Sequence, residues 1–130
     1  MLQIAQQVGV ARNTAQARLD RLLARGVIVG FGPDIALRQV GYTVSAFVNL
    51  EVSQPGESDV DEGLLAIPEI VEAYMTTGPS DLVCRVVAYD NDHLGQLLSQ
   101  ILAIPGVSRV TSSLVLATRI APRVLPLITD

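Results

Sequence analysis

The chain has 130 residues, of which 49% are hydrophobic and 17% are charged, with a formal net charge of -4. This length suits one domain or two small modules that share their burial, and no run approaches the roughly 20 apolar residues of a membrane helix. The N-terminus lacks the basic and then apolar layout of a signal peptide, so we expect a cytoplasmic protein without a membrane partner. The only cysteine, Cys84, excludes an intramolecular disulfide and a cysteine-built zinc site, and we expect it to be a buried strand thiol.

Charge is divided unequally along the chain. Five arginines stand against two aspartates before Gly41, whereas four arginines stand against eleven acidic residues from Gly41 onward. A cationic segment in an acidic protein indicates an anionic partner for that segment alone. Double-stranded DNA is the leading candidate.

The N-terminal residues are predicted to form two helices separated by a tight turn. Ile4, Ala5 and Val8 recur at helical spacing, and Gly9 is suited to ending a helix. From Asn13 to Arg25, apolar residues fall on one stripe and polar or cationic residues fall on the other side. Gly26 ends this helix, and "GVIVGFG" then predicts a short strand. The pattern is typical of a helix-turn-helix.

An internal repeat organises the remainder of the chain. "LLAIPEIVEAYMTTG" and "ILAIPGVSRVTSSLV" share the core "LAIP" at a separation of 37 residues, and each indicates a helix end followed by a strand. Acidic and capping residues precede both helices, with Asp90, Asn91 and Asp92 before the second. The apolar strands "YTVSAFVNLEV" and "LVCRVVAY" come before the helices, and the residues of the first strand expected to point inward are Val44, Ala46, Val48, Leu50 and Val52. The order βαββαβ predicts an α+β protein, in which a helix-turn-helix segment is followed by a ferredoxin-like domain.

Two helices cover only one face of such a sheet. The third and fourth strands, "LVCRVVA" and "VTSSLVLA", are apolar or small on both faces for much of their length, which a solvated face would not favour. We therefore expect the second face to pack on another subunit. The predicted assembly is a homo-oligomer, a dimer that assembles further into a tetramer or an octamer.

Three patterns in this order resemble the Lrp/AsnC family of feast/famine transcription regulators. They are "GVIVGF" after the helix pair, "TTGPSD" between the second and third strands of the sheet, and "IPGV" after the last helix. The resemblance covers nearly the whole chain. It implies a partial winged helix-turn-helix that binds DNA over residues 1–30, a strand and linker over 31–41, and a ferredoxin-like ligand-binding and oligomerisation domain over 42–130.

The chain departs from the family at its N-terminus. Members usually begin with a further helix that packs beneath the other two, and here that helix is absent, so we expect a shortened helix-turn-helix. The side chains expected to contact DNA bases or phosphates are Arg12, Asn13, Thr14, Gln16, Ala17, Arg18, Arg21 and Arg25. The alternative is an ordinary solvated helix face.

The resemblance also implies an amino-acid effector bound between subunits at the "TTGPSD" loop. Backbone groups around Gly78 and the carboxylate of Asp81 would hold such a ligand, and the residues implied are Thr77, Gly78, Pro79, Ser80, Asp81 and, on the last strand, Ser113. The alternative is a plain turn in which Asp81 caps the start of the third strand.

The sequence carries no combination of residues typical of catalysis. His93 stands alone and is expected at the surface, and no carboxylate pair, phosphate loop or nucleophile triad is present. We predict no catalytic residue, no metal site and no cofactor. The function expected is transcription regulation of amino-acid metabolism. An effector-binding or interaction domain without independent DNA binding is the alternative, and an enzyme similar to siroheme decarboxylases ranks below both.

Overall fold

A computed structural model of the chain describes residues 2–27, 29–30, 33–53 and 58–128. Side chains are described for 12–27, 29–30, 33–53 and 60–128. The chain divides into two compact units, Met1–Ile35 and Ala36–Asp130. The boundary lies inside the predicted linker over 31–41, and the separate roles assigned to the two parts stay a prediction. No helix among the described residues is long and apolar enough to span a membrane.

The N-terminal unit contains one continuous helix, α1, over Leu2–Ala24. The predicted turn at Gly9 is therefore wrong. A glycine inside a helix costs only about 1 kcal/mol relative to alanine, and the surrounding Ala, Gln, Leu and Arg residues are good helix formers. A turn between two helices is stabilised when their apolar faces pack against each other. Among the described side chains, Leu19, Leu22 and Leu23 remain partly or fully exposed, so that packing is not formed by them.

The end of α1 follows the sequence prediction. Gly26 adopts a left-handed conformation with φ of 75°. Its N–H donates to the Leu23 carbonyl, and the N–H of Val27 donates to the Leu22 carbonyl at 2.8 Å. These two bonds form a Schellman motif, which satisfies carbonyls that the helix end leaves open.

The strand predicted from "GVIVGFG" is not observed in the described part of that segment. Val27, Val29 and Gly30 are not in a strand, and Val29 is 96% exposed. A strand requires a hydrogen-bonded neighbour, and no described residue supplies one here. Ile28, Phe31 and Gly32 lie outside the described residues.

The C-terminal unit confirms the predicted βαββαβ order. After a 3-10 helix over Leu37–Val40, its elements are β1 (Val44–Val52), α2 (Ser58–Leu65), β2 (Ile70–Met75), β3 (Leu82–Ala88), α3 (Asn91–Leu102) and β4 (Val107–Leu114), followed by a short helix, α4 (Leu125–Ile128). The strands form one antiparallel sheet in the order β2-β3-β1-β4. This is the ferredoxin-like arrangement.

The core lies between the sheet and the two long helices, α2 and α3. The predicted inward residues of β1 are confirmed, since Ala46, Val48 and Leu50 are fully buried and Val44 and Val52 pack against them. The strongest helical contributors, Val60, Leu64, Leu94, Leu97 and Ile101, recur at helical spacing. Burial of apolar area on this scale is the main stabilising contribution to the unit.

The sheet face turned away from α2 and α3 is termed the free face. Alternation and strand register place on it the following residues: Ser45, Phe47, Asn49 and Glu51 of β1, Glu72 and Tyr74 of β2, Val83, Arg85 and Val87 of β3, and Arg109, Thr111 and Ser113 of β4. Phe47 is 47% exposed and Tyr74 is 58% exposed. The free face thus combines exposed rings with polar and charged side chains.

Two glycines allow α2 to approach the turn before β4. A Cβ atom on Gly63 would lie 2.6 Å from Cγ2 of Ile104, and a Cβ atom on Gly106 would lie 2.9 Å from Cγ2 of Val60. Gly95 in α3 has nothing within 4 Å of the corresponding position. Close packing therefore explains Gly63 and not Gly95.

Candidate functional site

The loop over residues 76–81 connects β2 to β3 and is closed by its own hydrogen bonds. The Thr76 N–H donates to the Asp81 carbonyl at 3.0 Å, and the Thr76 hydroxyl donates to the Ser80 carbonyl at 3.2 Å. Gly78 has φ of 107°, and a Cβ atom there would meet nothing within 4 Å. The glycine is required by its left-handed backbone, not by crowding. The loop is therefore a preformed turn with an open outer surface.

Asp81 binds the end of β1. Its Oδ2 atom accepts a hydrogen bond of 2.7 Å from the Val52 N–H, and its own N–H donates to the Leu50 carbonyl at 2.9 Å. The register of β1 against β4 shifts between Glu51 and Val52, so a bulge frees the Val52 donor for this contact. The carboxylate is half-buried, and Oδ1 has no hydrogen bond with a described residue.

The structure brings together only part of the predicted effector set. Thr77, Gly78 and Pro79 are exposed at the loop tip, and Ser80 and Asp81 are half-buried at its base. Ser113 pairs with Phe47 on the free face, whereas the loop adjoins Leu50, and β1 lies between β3 and β4. Within one chain, Ser113 therefore does not join the loop.

The predicted DNA-contacting side chains all lie exposed on or just after α1. With about 3.6 residues per turn, six of them share one side of the helix, namely Asn13, Thr14, Ala17, Arg18, Arg21 and Arg25. Arg12 and Gln16 fall on the side of Leu19 and Leu23, and the Gln16 amide donates to Asp20 Oδ1 at 2.9 Å. Three arginines on one exposed face form a surface suited to phosphate contacts.

Sequence reasoning missed an aromatic cluster at the opposite end of the sheet from the loop. The rings of Tyr42 and Tyr89 stack at 4.5 Å, and those of Tyr89 and His93 stack at 4.8 Å. His93 was expected at the surface, but its Nδ1 accepts from the Tyr89 N–H at 2.9 Å and its Nε2 lies 3.3 Å from a Glu69 carboxylate oxygen. The hydrogen bond with Tyr89 raises the pKa of Tyr42.

This cluster fixes the start of β1. Gly41, with φ of 97°, precedes Tyr42, and a Cβ atom at Gly41 would lie 3.3 Å from the Tyr89 ring. Only a local signal, a tyrosine and a capping aspartate just before His93, was visible in the sequence. Tyr42 lies 47 residues away from Tyr89, so no spacing rule connects them.

The described residues do not assemble a metal centre. No group of three or more His, Cys, Asp or Glu side chains in the described ranges is placed to hold an ion. Cys84 is buried as expected, and burial raises the pKa of its thiol to about 11. A thiol in this state is a poor nucleophile.

Comparison with known proteins agrees with this architecture. The Lrp/AsnC ligand-binding domain matches residues 45–125. The HTH-type transcriptional regulator FL11 of Pyrococcus horikoshii is 34% identical over 125 residues, which are 96% of this chain and 83% of that protein. The HTH-type transcriptional regulator Ptr1 of Methanocaldococcus jannaschii is 32% identical over 117 residues, 89% of this chain and 79% of that protein.

Solved structures give the same result. AsnC of E. coli superposes with a TM-score of 0.75 at 26% identity, covering 94% of this chain and 83% of that one. The feast or famine regulatory protein Rv3291c of M. tuberculosis, complexed with L-methionine, superposes with a TM-score of 0.74 at 30% identity, covering 93% and 82%. The domain match covers more than half of the chain, and the chain therefore belongs to the Lrp/AsnC family.

Proposed function

We propose that this chain is a transcription regulator, not an enzyme, that binds double-stranded DNA through α1 and a small amino-acid effector at the loop over 76–81. The names of its relatives support the regulatory role, and the L-methionine complex of Rv3291c supports an amino-acid ligand. The observation that supports the effector site is the carboxylate of Asp81: its Oδ2 atom accepts a hydrogen bond from the Val52 N–H, and its Oδ1 atom has no hydrogen bond with a described residue.

The loop offers complementary groups for a zwitterion. A free amino acid needs an anion for its ammonium and N–H donors for its carboxylate. Oδ1 of Asp81 supplies the anion, and the exposed backbone N–H groups of Thr77 and Gly78 supply donors in a turn that is already formed. The side chain of the ligand would be selected by a neighbouring subunit, because the loop tip is open in a single chain.

Oligomerisation is proposed through the free face. Phe47 and Tyr74 are large exposed rings two strands apart; Arg85, paired with Glu72 at 3.2 Å, lies on one side of Phe47, and Ser113 of β4 lies on the other. Exposed aromatic rings interspersed with polar and charged groups are typical of subunit interfaces. A dimer formed on this face would also bring Ser113 of each chain near its partner, and larger assemblies would follow from further contacts.

The effector proposal is tested by calorimetry against the twenty amino acids, with the parent protein, Asp81→Asn and Asp92→Asn. The asparagine retains an oxygen that can accept the Val52 N–H, so the fold should survive while the anion is lost. We expect at least one amino acid to bind the parent and Asp92→Asn equally, and to bind Asp81→Asn at least about tenfold more weakly. Equal binding by all three proteins would exclude Asp81 from the site.

The DNA proposal is tested by fluorescence anisotropy with a mixed-sequence duplex over a range of salt. Arg18→Ala is compared with Arg38→Ala, which removes the same charge at a position outside α1. Each phosphate contact contributes about 0.9 to the slope of log affinity against log salt, so Arg18→Ala should lower the slope by about 1 and Arg38→Ala should not. Identical slopes would contradict a DNA-binding role for α1.

One observation favours the alternative, an effector-binding domain without independent DNA binding. The described part of the N-terminal unit contains a single helix whose leucine stripe is partly exposed, whereas a recognition helix is normally held by a packed partner helix. Absence of binding in the anisotropy experiment at low salt, together with intact amino-acid binding, would select this alternative.

A further inference from the structure

The two edges of the sheet differ in their chemistry. The β4 edge carries mostly hydroxyls and a cation, namely Ser108, Arg109, Thr111, Ser112 and Ser113. The β2 edge carries Val71, Ala73, Tyr74 and Met75, with Val71 42% exposed and Met75 79% exposed. Exposed edges normally bear lysine, proline or other features that prevent pairing with another chain. The β2 edge has neither lysine nor proline, although its register against β3 shifts between Ile70 and Glu72. Beyond that shift, from Ala73 to Met75, the outer main-chain groups face no strand among the described residues.

A groove runs beside this edge, between α2 and β2, and is termed the edge groove. It has a volume of about 570 Å³ and is lined mainly by apolar side chains, among them Leu64, Leu65, Pro68, Val71 and Met75. Leu65, on the outer side of α2, is 83% exposed. The charged residues beside the groove are both acidic, Asp61 and Glu72. Asp61 has no ion pair with a described residue, whereas Glu72 is paired with Arg85 at 3.2 Å.

The segment after β4 has the complementary properties, and residues 116–128 are termed the tail. Leu116 is 95% exposed, Ile120 is 70% exposed and Leu127 is 83% exposed. No main-chain group of residues 116–123 forms a hydrogen bond with another described residue. The only charged residues of the tail are Arg119 and Arg123, and neither has an ion pair in the described chain.

We propose that the tail of one copy of this chain docks in the edge groove of a second copy. Residues 116–121 contain no proline and can add as a strand to the open side of β2, while the leucines and isoleucines of the tail fill the groove. Arg119 and Arg123 then approach Asp61, the acid of the groove that has no ion pair in the described chain. This contact is additional to the free face and depends on neither DNA nor the effector.

Charge decides between the tail and the other occupant that the chain offers, a second edge groove. Two grooves paired with each other would bring Asp61 of one copy near Asp61 of the other, and like charges in contact disfavour association. The tail instead supplies two cations and no acid within the described residues.

The starting point of the tail favours a second copy over the same chain. Val115 donates to the Ser45 carbonyl at 2.8 Å, so the tail leaves from the β4 side of the sheet, and β1 and β3 separate it from β2. To reach its own groove, the tail would have to pass β1 and β3, and a path over the side of the sheet that α2 and α3 leave uncovered runs across the free face that the proposed dimer uses. Tail and groove are different surfaces, so their contact can extend a dimer into a closed ring or a larger assembly.

Disulfide trapping tests the contact directly. Met75→Cys and Ile120→Cys are prepared separately, one with an affinity tag, mixed and exposed to a mild oxidant; Cys84 is buried and should not interfere. We expect a tagged–untagged dimer to form at least about tenfold faster than in the matched control, Ser112→Cys on the β4 edge mixed with Ile120→Cys. Equal trapping by the two edges would overturn the proposal. The double variant Met75→Cys/Ile120→Cys is oxidised in the same way. A disulfide that forms within single chains and never between chains would also overturn the proposal.

Sedimentation supplies a second measurement that does not rely on cysteines. Arg119→Glu/Arg123→Glu should weaken association at micromolar concentration by about tenfold or more, and adding Asp61→Arg should restore part of it, with folding of each variant checked by circular dichroism. A charge reversal that leaves the assembly unchanged would overturn the proposal. Because no DNA or amino acid is present, failure here leaves the proposed regulatory function standing, and failure of that function leaves this contact standing.

Discussion

The two halves of the C-terminal unit, β1-α2-β2 and β3-α3-β4, have the same order of elements and the same hydrogen bonds from helix end to strand start. They differ in the length and capping of the helix and in the edge that the last strand exposes. Three hydrogen bonds from a backbone N–H to a backbone carbonyl recur at the 37-residue offset of the "LAIP" repeat. In the first copy Ala66 donates to Glu62, Ile67 to Leu64 and Ile70 to Ile67; in the second copy Ala103 donates to Ser99, Ile104 to Ile101 and Val107 to Ile104. The isoleucine of each repeat is 8% exposed. A short sequence therefore suffices to set a helix end and a strand start twice.

The halves diverge where they meet other elements. α2 has 8 residues and carries Gly63 against Ile104, whereas α3 has 12 residues and is capped by Asp90, whose carboxylate accepts from the His93 N–H. The strand that follows α2 leaves an apolar edge, and the strand that follows α3 leaves a polar one. The same local structure is thus packed against different neighbours in the two halves. Substitutions in the two halves should separate what the repeated local structure contributes to stability from what the neighbouring elements contribute.

The largest effect is expected from the shared core. Ile101→Ala and Leu64→Ala occupy equivalent positions, with exposures of 0% and 5%, and each should lower the free energy of unfolding by about 2–5 kcal/mol because a buried cavity remains. Urea denaturation followed by circular dichroism measures this. Leu102→Ala, at a position 51% exposed, should cost about 1 kcal/mol or less, and a loss as large as that of Ile101→Ala would contradict the burial pattern.

The helix glycines should respond in opposite directions. Alanine is favoured over glycine in a helix by about 1 kcal/mol, so Gly95→Ala, which has open space, should raise the free energy of unfolding by about 0.5–1 kcal/mol. At Gly63 the same gain is opposed by overpacking against Ile104, which costs about 1–3 kcal/mol. Thermal and urea unfolding of both variants gives the comparison. Equal stabilisation by the two substitutions would mean that the Ile104 side chain can move away from the new methyl group without lowering the free energy of unfolding.

The cap of α3 should contribute less. Asp90→Ala removes the acceptor of the 2.7 Å bond from His93, and we expect a loss of about 1 kcal/mol. Asp90→Ser should recover most of it, since serine also caps. Asn91→Ala, one position further along the helix, is the control and should change the stability by no more than about 0.5 kcal/mol. A silent Asp90→Ala variant would show that the cap is replaced by another group.

The smallest effect at neutral pH is expected at Cys84, which faces Val48 across the two central strands. The folded thiol keeps its proton up to about pH 11 because burial raises its pKa, whereas the unfolded thiol loses it near its ordinary value of about 8.5. Between these values the unfolded chain binds fewer protons, so the free energy of unfolding falls as the pH rises. Cys84→Val should flatten the decline between about pH 9 and about pH 11. If Cys84→Val left this slope unchanged, the decline in the free energy of unfolding would have to come from titrating groups other than Cys84.

Sequence reasoning recovered most of the C-terminal unit because its signals are local. Alternation along β1, capping at Asp90 and the repeated "LAIP" each act within a few residues of where they are seen. The same reasoning placed a turn at Gly9, and the helix continues through it, because a single glycine opposes a helix only weakly. The strand expected near Val29 needed a partner that local sequence cannot supply.

The candidate site was predicted as a list of residues and not as an arrangement. The loop residues from Thr77 to Asp81 follow from turn chemistry and the family resemblance. That Asp81 bonds to Val52 across the sheet, and that Ser113 lies apart from the loop in one chain, follow from strand register. The contact of Tyr42 with Tyr89, 47 residues away, had no sequence signal for the same reason.

The sequence by itself determined the order of elements, the inward faces of the strands and the cationic character of α1, because these depend on residue type and on periods of about two and 3.6 residues. Tertiary structure decided which strands became edges, which acidic groups lie beside the edge groove, and how the sole histidine is bonded. Those outcomes depend on contacts between residues distant in the chain. Hydrogen bonding and burial set them only after the sheet has closed in the order β2-β3-β1-β4.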